Sequence, residues 1–205
     1  MQSYKTIKRR NSVNIANKKV SPVDKRIVGR IDEIPEGCQF DKYVKTCSFL
    51  LSGEFDKAKM DKFELFLTEI FHDCLKFVTP VNPRLSIKLL LIYNNDEYLT
   101  LEKIADDSKT IIKKEIAKNL TTAFVLDNGL IAVIHVNVFR LLSCQNSVSM
   151  IFNYIDTLIH EINHIISHQR SEQEIHDLGI PILEKFLGIK IPEEYKNQKV
   201  SDNYF

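Results

Sequence analysis

The sequence predicts an α+β protein, a small and mostly antiparallel sheet backed by helices, ending in two consecutive helices. Three observations carry this. Residues 54–78, EFDKAKMDKFELFLTEIFHDCLKFV, bring apolar side chains round at steps of three and four, the period of a helix with one buried stripe. Residues 122–139, TAFVLDNGLIAVIHVNVF, place two apolar runs either side of Asp127-Asn128-Gly129, a strong hairpin signal. Residues 148–188 hold two further amphipathic patterns with a capping signal between them. Helix, strand, hairpin, helix, helix in that order is met by a sheet with helices on one face.

The elements follow in chain order. Residues 1–35 show little periodicity, are broken by Pro22 and Pro35, and read as a basic arm or a pro-segment-like extension. They precede a domain expected over 36–190. In the first helix Phe63, Phe66, Leu67, Ile70, Phe71, Cys74 and Phe77 form the stripe, and TPVNP at 79–83 stops it because proline cannot continue the ladder. LSIKLLLIYN, 85–94, reads as a strand, and 97–119 is charged and helix-prone. A helix follows from about Val148 to His168. Ser171 and Glu174 have capping-box spacing and open a last helix through Ile175, Leu178, Ile182 and Phe186 to Gly188. IPEEYKNQKVSDNYF, 191–205, is a polar tail expected to be loosely held.

Composition narrows the class. With 205 residues, 44% apolar and 27% charged, the chain suits one soluble domain with an appendage. Its net charge of +1 is unevenly spread. Residues 1–30 carry nine basic side chains against one acid, a net +8, which leaves −7 for the remainder. Such an arm can bind nucleic acid or an anionic surface, or remain a solvated tail. The four cysteines, Cys38, Cys47, Cys74 and Cys144, have no C-x-x-C spacing and are too few for a disulfide scaffold. Reduced thiols, an N-terminus without a signal-like apolar run and apolar stretches too short for a bilayer predict a cytoplasmic protein with no membrane contact.

The segment 157–179, TLIHEINHIISHQRSEQEIHDLG, holds four of the six histidines, and His160, Glu161 and His164 spell H-E-x-x-H. At about 100° per residue from Ile151, the side chains of Ile155, Leu158, Ile162 and Ile165 fall within about 40° of it. His160 and His164 fall at about 180° and 220°, away from that core stripe and one turn apart. Two imidazoles so placed can share one Zn²⁺. Glu161, at about 280°, is placed to act on water and not as a ligand. A polar helix face would also hold His and Glu, but random placement produces this motif in only about one chain in a hundred of this composition. A zinc site needs a third ligand and an open position. His168 is about 12 Å along the axis from His160, too far to share an ion with both histidines of a continuous helix. Glu172, Glu174 and His176, in the first turns of the next helix, remain the candidates.

The H-E-x-x-H after a hairpin and before an acidic helix resembles the zincin metallopeptidases. HEINHIISHQRSEQEI is similar to short-spaced, phage-type and minimal members of the gluzincin branch, in which a glutamate on the following helix is the third ligand. The resemblance implies a zincin-like fold with an active-site helix and a glutamate helix. It implies Zn²⁺ on His160, His164 and Glu172, and Glu161 as the catalytic general base. It follows the order of elements over 54–188 and matches by motif over a far shorter stretch. Ser167 and Arg170 stand where the metzincin pattern has glycine and histidine or aspartate. The implied activity is hydrolysis of a peptide or protein substrate, with His176, Arg170 or Tyr195 as candidate oxyanion donors and the strand 130–138 as a candidate sheet edge for substrate. His135 within that strand is expected in the core or cleft wall. Two other classes fit the residues, a non-catalytic zinc-stapled domain and a nucleic-acid-associated accessory protein using residues 1–30.

Overall fold

The computed structural model describes residues 31, 34–79, 86–92, 121–125, 131–142, 144, 146–167 and 170–197. Helix α1, Gln39–Leu51, starts at Cys38, whose Sγ accepts from the Asp41 N–H at 3.3 Å. It buries Phe40, Tyr43, Cys47 and Leu50 on one side. Helix α2, Lys57–Val78, is capped by Asp56, which accepts from the Lys59 N–H at 2.8 Å. Of the stripe expected there, Phe63, Phe66, Leu67, Ile70, Phe71 and Cys74 are buried, while Phe77 stays partly exposed against Phe186. The Tyr43 hydroxyl donates to Asp73 at 2.7 Å and ties α1 to α2.

Strands β1 (Ser86–Ile92), β2 (Thr121–Val125) and β3 (Ile131–Asn137) form a three-stranded sheet in the order β1-β3-β2. β2 and β3 are antiparallel, from Thr121 opposite Val136 to Val125 opposite Ala132, consistent with the hairpin signal. β1 and β3 are parallel over seven positions, from Ser86 opposite Ile131 to Ile92 opposite Asn137. Among the described residues the sheet is therefore mixed and not mostly antiparallel. The expectation went astray because a tight turn reports only its own pair. A parallel neighbour comes from a long crossover, and residues 93–120 separate β1 from β2. The helix-prone 97–119 lies outside the described residues. β3 is the central strand, so 130–138 is no sheet edge and cannot pair with a substrate strand as expected. Its Ala132, Ile134 and Val136 are buried in one apolar cluster with the helices. His135 and Asn137, on its other face, are also buried, as a central strand requires.

A short helix α3, Val138–Leu142, leads to α4, Ser147–Ile166, capped by Asn146 accepting from the Ser149 N–H. α4 is the hub. Ile151, Ile155, Leu158, Ile162 and Ile165 are all buried, as the stripe predicts. Phe152, Tyr154, Ile159 and Asn163 are buried as well, so the covered face is broader than the stripe. The Tyr154 hydroxyl donates to the Leu67 carbonyl at 2.8 Å inside the core and fixes α4 against α2, a bond worth about 1 kcal/mol. Helix α5, Glu172–Leu187, packs on α4, with Gly179 facing Ile159 and Asn163. It runs through Pro181, which cannot donate to the Asp177 carbonyl. It ends at Gly188, whose φ of 70° is the left-handed turn that glycine accepts most readily.

The chain then crosses back as Ile189–Lys196, including the short helix α6, Glu193–Lys196. Of the tail expected to be loosely held over 191–205, residues 191–197 need correction, and 198–205 lie outside the described residues. Ile191 and Tyr195 are 3% and 7% exposed and belong to the core. A polar composition concealed two apolar anchors four residues apart. At the other end Ile31 and Ile34 pack partly buried against the same core, so the domain begins slightly before 36. Residues 1–30, the basic arm proper, lie outside the described residues. Helices and a mixed sheet make the architecture α+β, and among the described residues no helix is long and apolar enough to cross a membrane.

Burial pushes the His135 imidazole down from 6.5 to about 4. Between these values the unfolded chain binds a proton that the folded chain refuses, so stability falls as pH drops through the window. The unfolding free energy of the wild type, measured against His135→Leu by chemical denaturation, should decline by up to about 3 kcal/mol from pH 6.5 to 4. A pH-independent difference between the two proteins contradicts this burial.

Candidate metal centre

On α4, His160 and His164 are partly exposed on the side opposite the core stripe. α4 stops just beyond them, where the Ser167 N–H donates to the His164 carbonyl. The chain turns, and Ser171 caps α5 with the full capping box. Its side chain accepts from the Glu174 N–H, and its own N–H donates to Glu174 Oε2 at 2.8 Å. The cap fixes which of the two acidic residues is available. Glu174 is turned back onto Ser171 and exposed, whereas Glu172, first in the helix, points at the histidines and is 6% exposed.

His160 Nε2 lies 3.0 Å from Glu172 Oε2 and 3.0 Å from His164 Nε2. His164 Nε2 lies 3.1 Å from Glu172 Oε1. Among the described residues these three form a group able to hold a metal ion, all ligand atoms lying within 4.8 Å of one another. With Glu172 ionised, protons alone do not satisfy this triangle. Each Nε2 carries at most one proton, and an ionised carboxylate only accepts. If both nitrogens donate to Glu172, two N–H groups crowd each other. If one donates to the other, a nitrogen lone pair faces a carboxylate oxygen. A cation at the centre attracts all three. Zinc bonds of about 2.0–2.1 Å in tetrahedral geometry set ligand atoms about 3.3 Å apart, close to the spacing here. Two imidazoles and a carboxylate are also a donor set that zinc takes in catalytic sites.

The electrostatics agree. Burial alone would depress the His160 pKa, but its bond to Glu172 and the charges of Glu161, Glu172 and Asp156 raise it above the ordinary imidazole value. Burial and the neighbouring His160 hold His164 below that value, against Glu172. Glu172 is held below the usual carboxylate range: burial works the other way, but the two histidines outweigh it. The acidic Glu161 acts on His160, which puts its charge beside the cluster.

The other candidates are accounted for by different contacts. His176 is buried one turn beyond Glu172, with Nε2 3.3 Å from the Tyr195 carbonyl oxygen. The Tyr195 hydroxyl donates to Asp156, and burial together with that carboxylate holds its pKa far above the usual phenol range. Tyr195 is thus a buried donor already engaged, and neither it nor His176 belongs to the metal triad. Arg170 is exposed in the turn between α4 and α5. His168 lies outside the described residues. Sequence reasoning missed Asp156, although Asp156, His160 and His164 recur at four-residue steps on one face. No family model, curated protein or solved structure matches the chain.

Two substitutions separate the acidic residues. After dialysis against chelator and reloading, Glu172→Ala should lose stoichiometric zinc. Glu174→Ala should keep it while losing some stability through the capping box. Elemental analysis and denaturation read the two effects, and the opposite pattern of metal loss contradicts the assignment.

Proposed function

We propose that the chain is a zinc-dependent metallopeptidase of zincin type, gluzincin-like in its ligand set, acting on a peptide or protein substrate. The observation that carries the reading is the convergence of His160 Nε2, His164 Nε2 and a Glu172 carboxylate oxygen on one point, beside the acid of an H-E-x-x-H motif. Three protein ligands with room for solvent is the arrangement of catalytic zinc, whereas structural zinc is closed by four.

Held there, zinc would supply Lewis acidity to the scissile carbonyl and bring the pKa of water toward about 7. The protein's own residues do the rest. His160 and His164 are set one turn apart on a helix whose opposite face is locked into the core. The pair therefore keeps its spacing without help from substrate. Glu172 contributes a negative charge from a second helix, held by the Ser171 cap. Glu161 takes a proton from the attacking water on its carboxylate and returns it to the leaving amine. Its neighbours keep it from serving as a ligand, since α4 turns it about 100° from His160. Tyr195 and His176, engaged with Asp156 and with each other, leave the oxyanion to another donor.

Glu161→Gln tests the mechanism because it removes the base and spares the ligands. Zinc content should match the wild type, and hydrolysis of a mixed fluorogenic peptide library should fall by at least about 100-fold. Equal turnover by the variant removes Glu161 from the chemistry. A zinc-loaded wild type that cleaves no peptide across the library removes the peptidase reading.

A further inference from the structure

Two contacts made by one residue near the C-terminus land beside the metal triad. The Tyr195 hydroxyl donates to Asp156 Oδ2, and Asp156 lies one turn before His160 on α4. The Tyr195 carbonyl lies 3.3 Å from His176 Nε2, and His176 lies one turn after Glu172 on α5. Tyr195 therefore bridges the two helices that supply the ligands, at the turn next to each ligand. Its ring fills the gap between them, edge-on to Phe152 of α4 at 5.3 Å and 5.4 Å from the His176 ring.

The segment carrying Tyr195 is fastened independently. Ile191 N–H donates to Glu184 Oε1 at 2.9 Å, and Lys196 Nζ lies 3.1 Å from the same oxygen. Both bonds reach α5 well away from the triad. Ile189 and Ile191 of the same segment are buried in the core. The Asp156 carboxylate, one turn before His160 on α4, adds a negative charge that acts on it. Groups around a ligand shell tune the metal, and losing an outer partner typically lowers metal affinity about 10- to 100-fold.

From this juxtaposition we infer that Ile189–Lys196 is a strap whose Tyr195, acting with Asp156, sets the spacing of the ligand helices and so the metal affinity of the His160–His164–Glu172 cluster. Tyr195 and Asp156 are positioning residues, with neither touching the ion. The inference rests on the metal-centre reading above and extends it to a part of the chain that the H-E-x-x-H motif does not reach.

The full chain tests it with two near-isosteric changes. Tyr195→Phe keeps the ring and removes the hydroxyl. Asp156→Asn keeps an acceptor and removes the charge. Zinc affinity is measured by competition with a chromophoric chelator, and the site is also loaded with Co²⁺ to record its visible absorption. Metal-free melting is followed alongside. We expect Asp156→Asn to bind zinc about tenfold more weakly and Tyr195→Phe severalfold more weakly, each with an altered Co²⁺ spectrum. If Asp156→Asn does not fold, Tyr195→Phe alone decides. Zinc affinity within twofold of wild type overturns the strap's role. So does a loss of affinity that accompanies a matching loss of metal-free stability with the wild-type Co²⁺ spectrum retained. Failure of the wild type to bind metal at all overturns the metal centre, and the strap's role with it.

Discussion

Two imidazole nitrogens and an ionised carboxylate, each about 3 Å from the others, are too close to be reconciled by the imidazole protons, and much of the surrounding structure serves to hold them there. The histidines are brought together by the pitch of α4, but pitch alone does not keep a helix in place. The buried face of α4 does that, through Ile151, Ile155, Leu158, Ile162 and Ile165 and through the Tyr154 bond to the Leu67 carbonyl. Glu172 is brought in by a different device, the capping box at Ser171, which starts α5 at the one residue that leaves Glu172 in its first turn. A like-charged or apolar residue at 172 would leave two histidines with no common partner.

Burial and charge pull against one another throughout this region. Burial disfavours the charged forms of His160, Glu172 and Asp156; neighbours of opposite sign and hydrogen bonds outweigh it at His160 and Glu172, whereas at Asp156 burial prevails and raises the carboxyl's pKa despite the Tyr195 hydroxyl. The polar groups beyond the triad also have partners. Asp156 receives the Tyr195 hydroxyl, and His176 meets the Tyr195 carbonyl. Tyr195 thus links the polar groups one turn outside the His160–His164–Glu172 cluster, while the two histidines remain partly exposed.

Helices with a single apolar stripe and a recognisable cap were legible in the sequence. α2, α4 and α5 fall within a few residues of where period and capping place them. α1 was not assigned, because Cys38 is not a usual capping residue and its stripe of Phe40, Tyr43, Cys47 and Leu50 is diluted by charged neighbours. The β2–β3 pair was legible because Asp127-Asn128-Gly129 is a turn signal in the sequence between two apolar runs. The parallel β1–β3 pair was not, since no local signal reports a partner separated by a long connection. Within the candidate site, the H-E-x-x-H spacing marked His160 and His164, which the fold brings together with Glu172. The sequence left Glu172, Glu174 and His176 open on geometry, yet the capping-box spacing already committed Glu174 to Ser171. Tyr195 was hidden by a polar tail, where one aromatic among charges carries no periodicity.

X-ray absorption at the zinc edge of the loaded protein tests the central claim most directly. The account predicts one ion per chain with nitrogen and oxygen neighbours only, at about 2.0–2.1 Å, and outer-shell scattering from two imidazoles. A sulfur neighbour, a third or fourth imidazole, or a protein that takes up no zinc would contradict it.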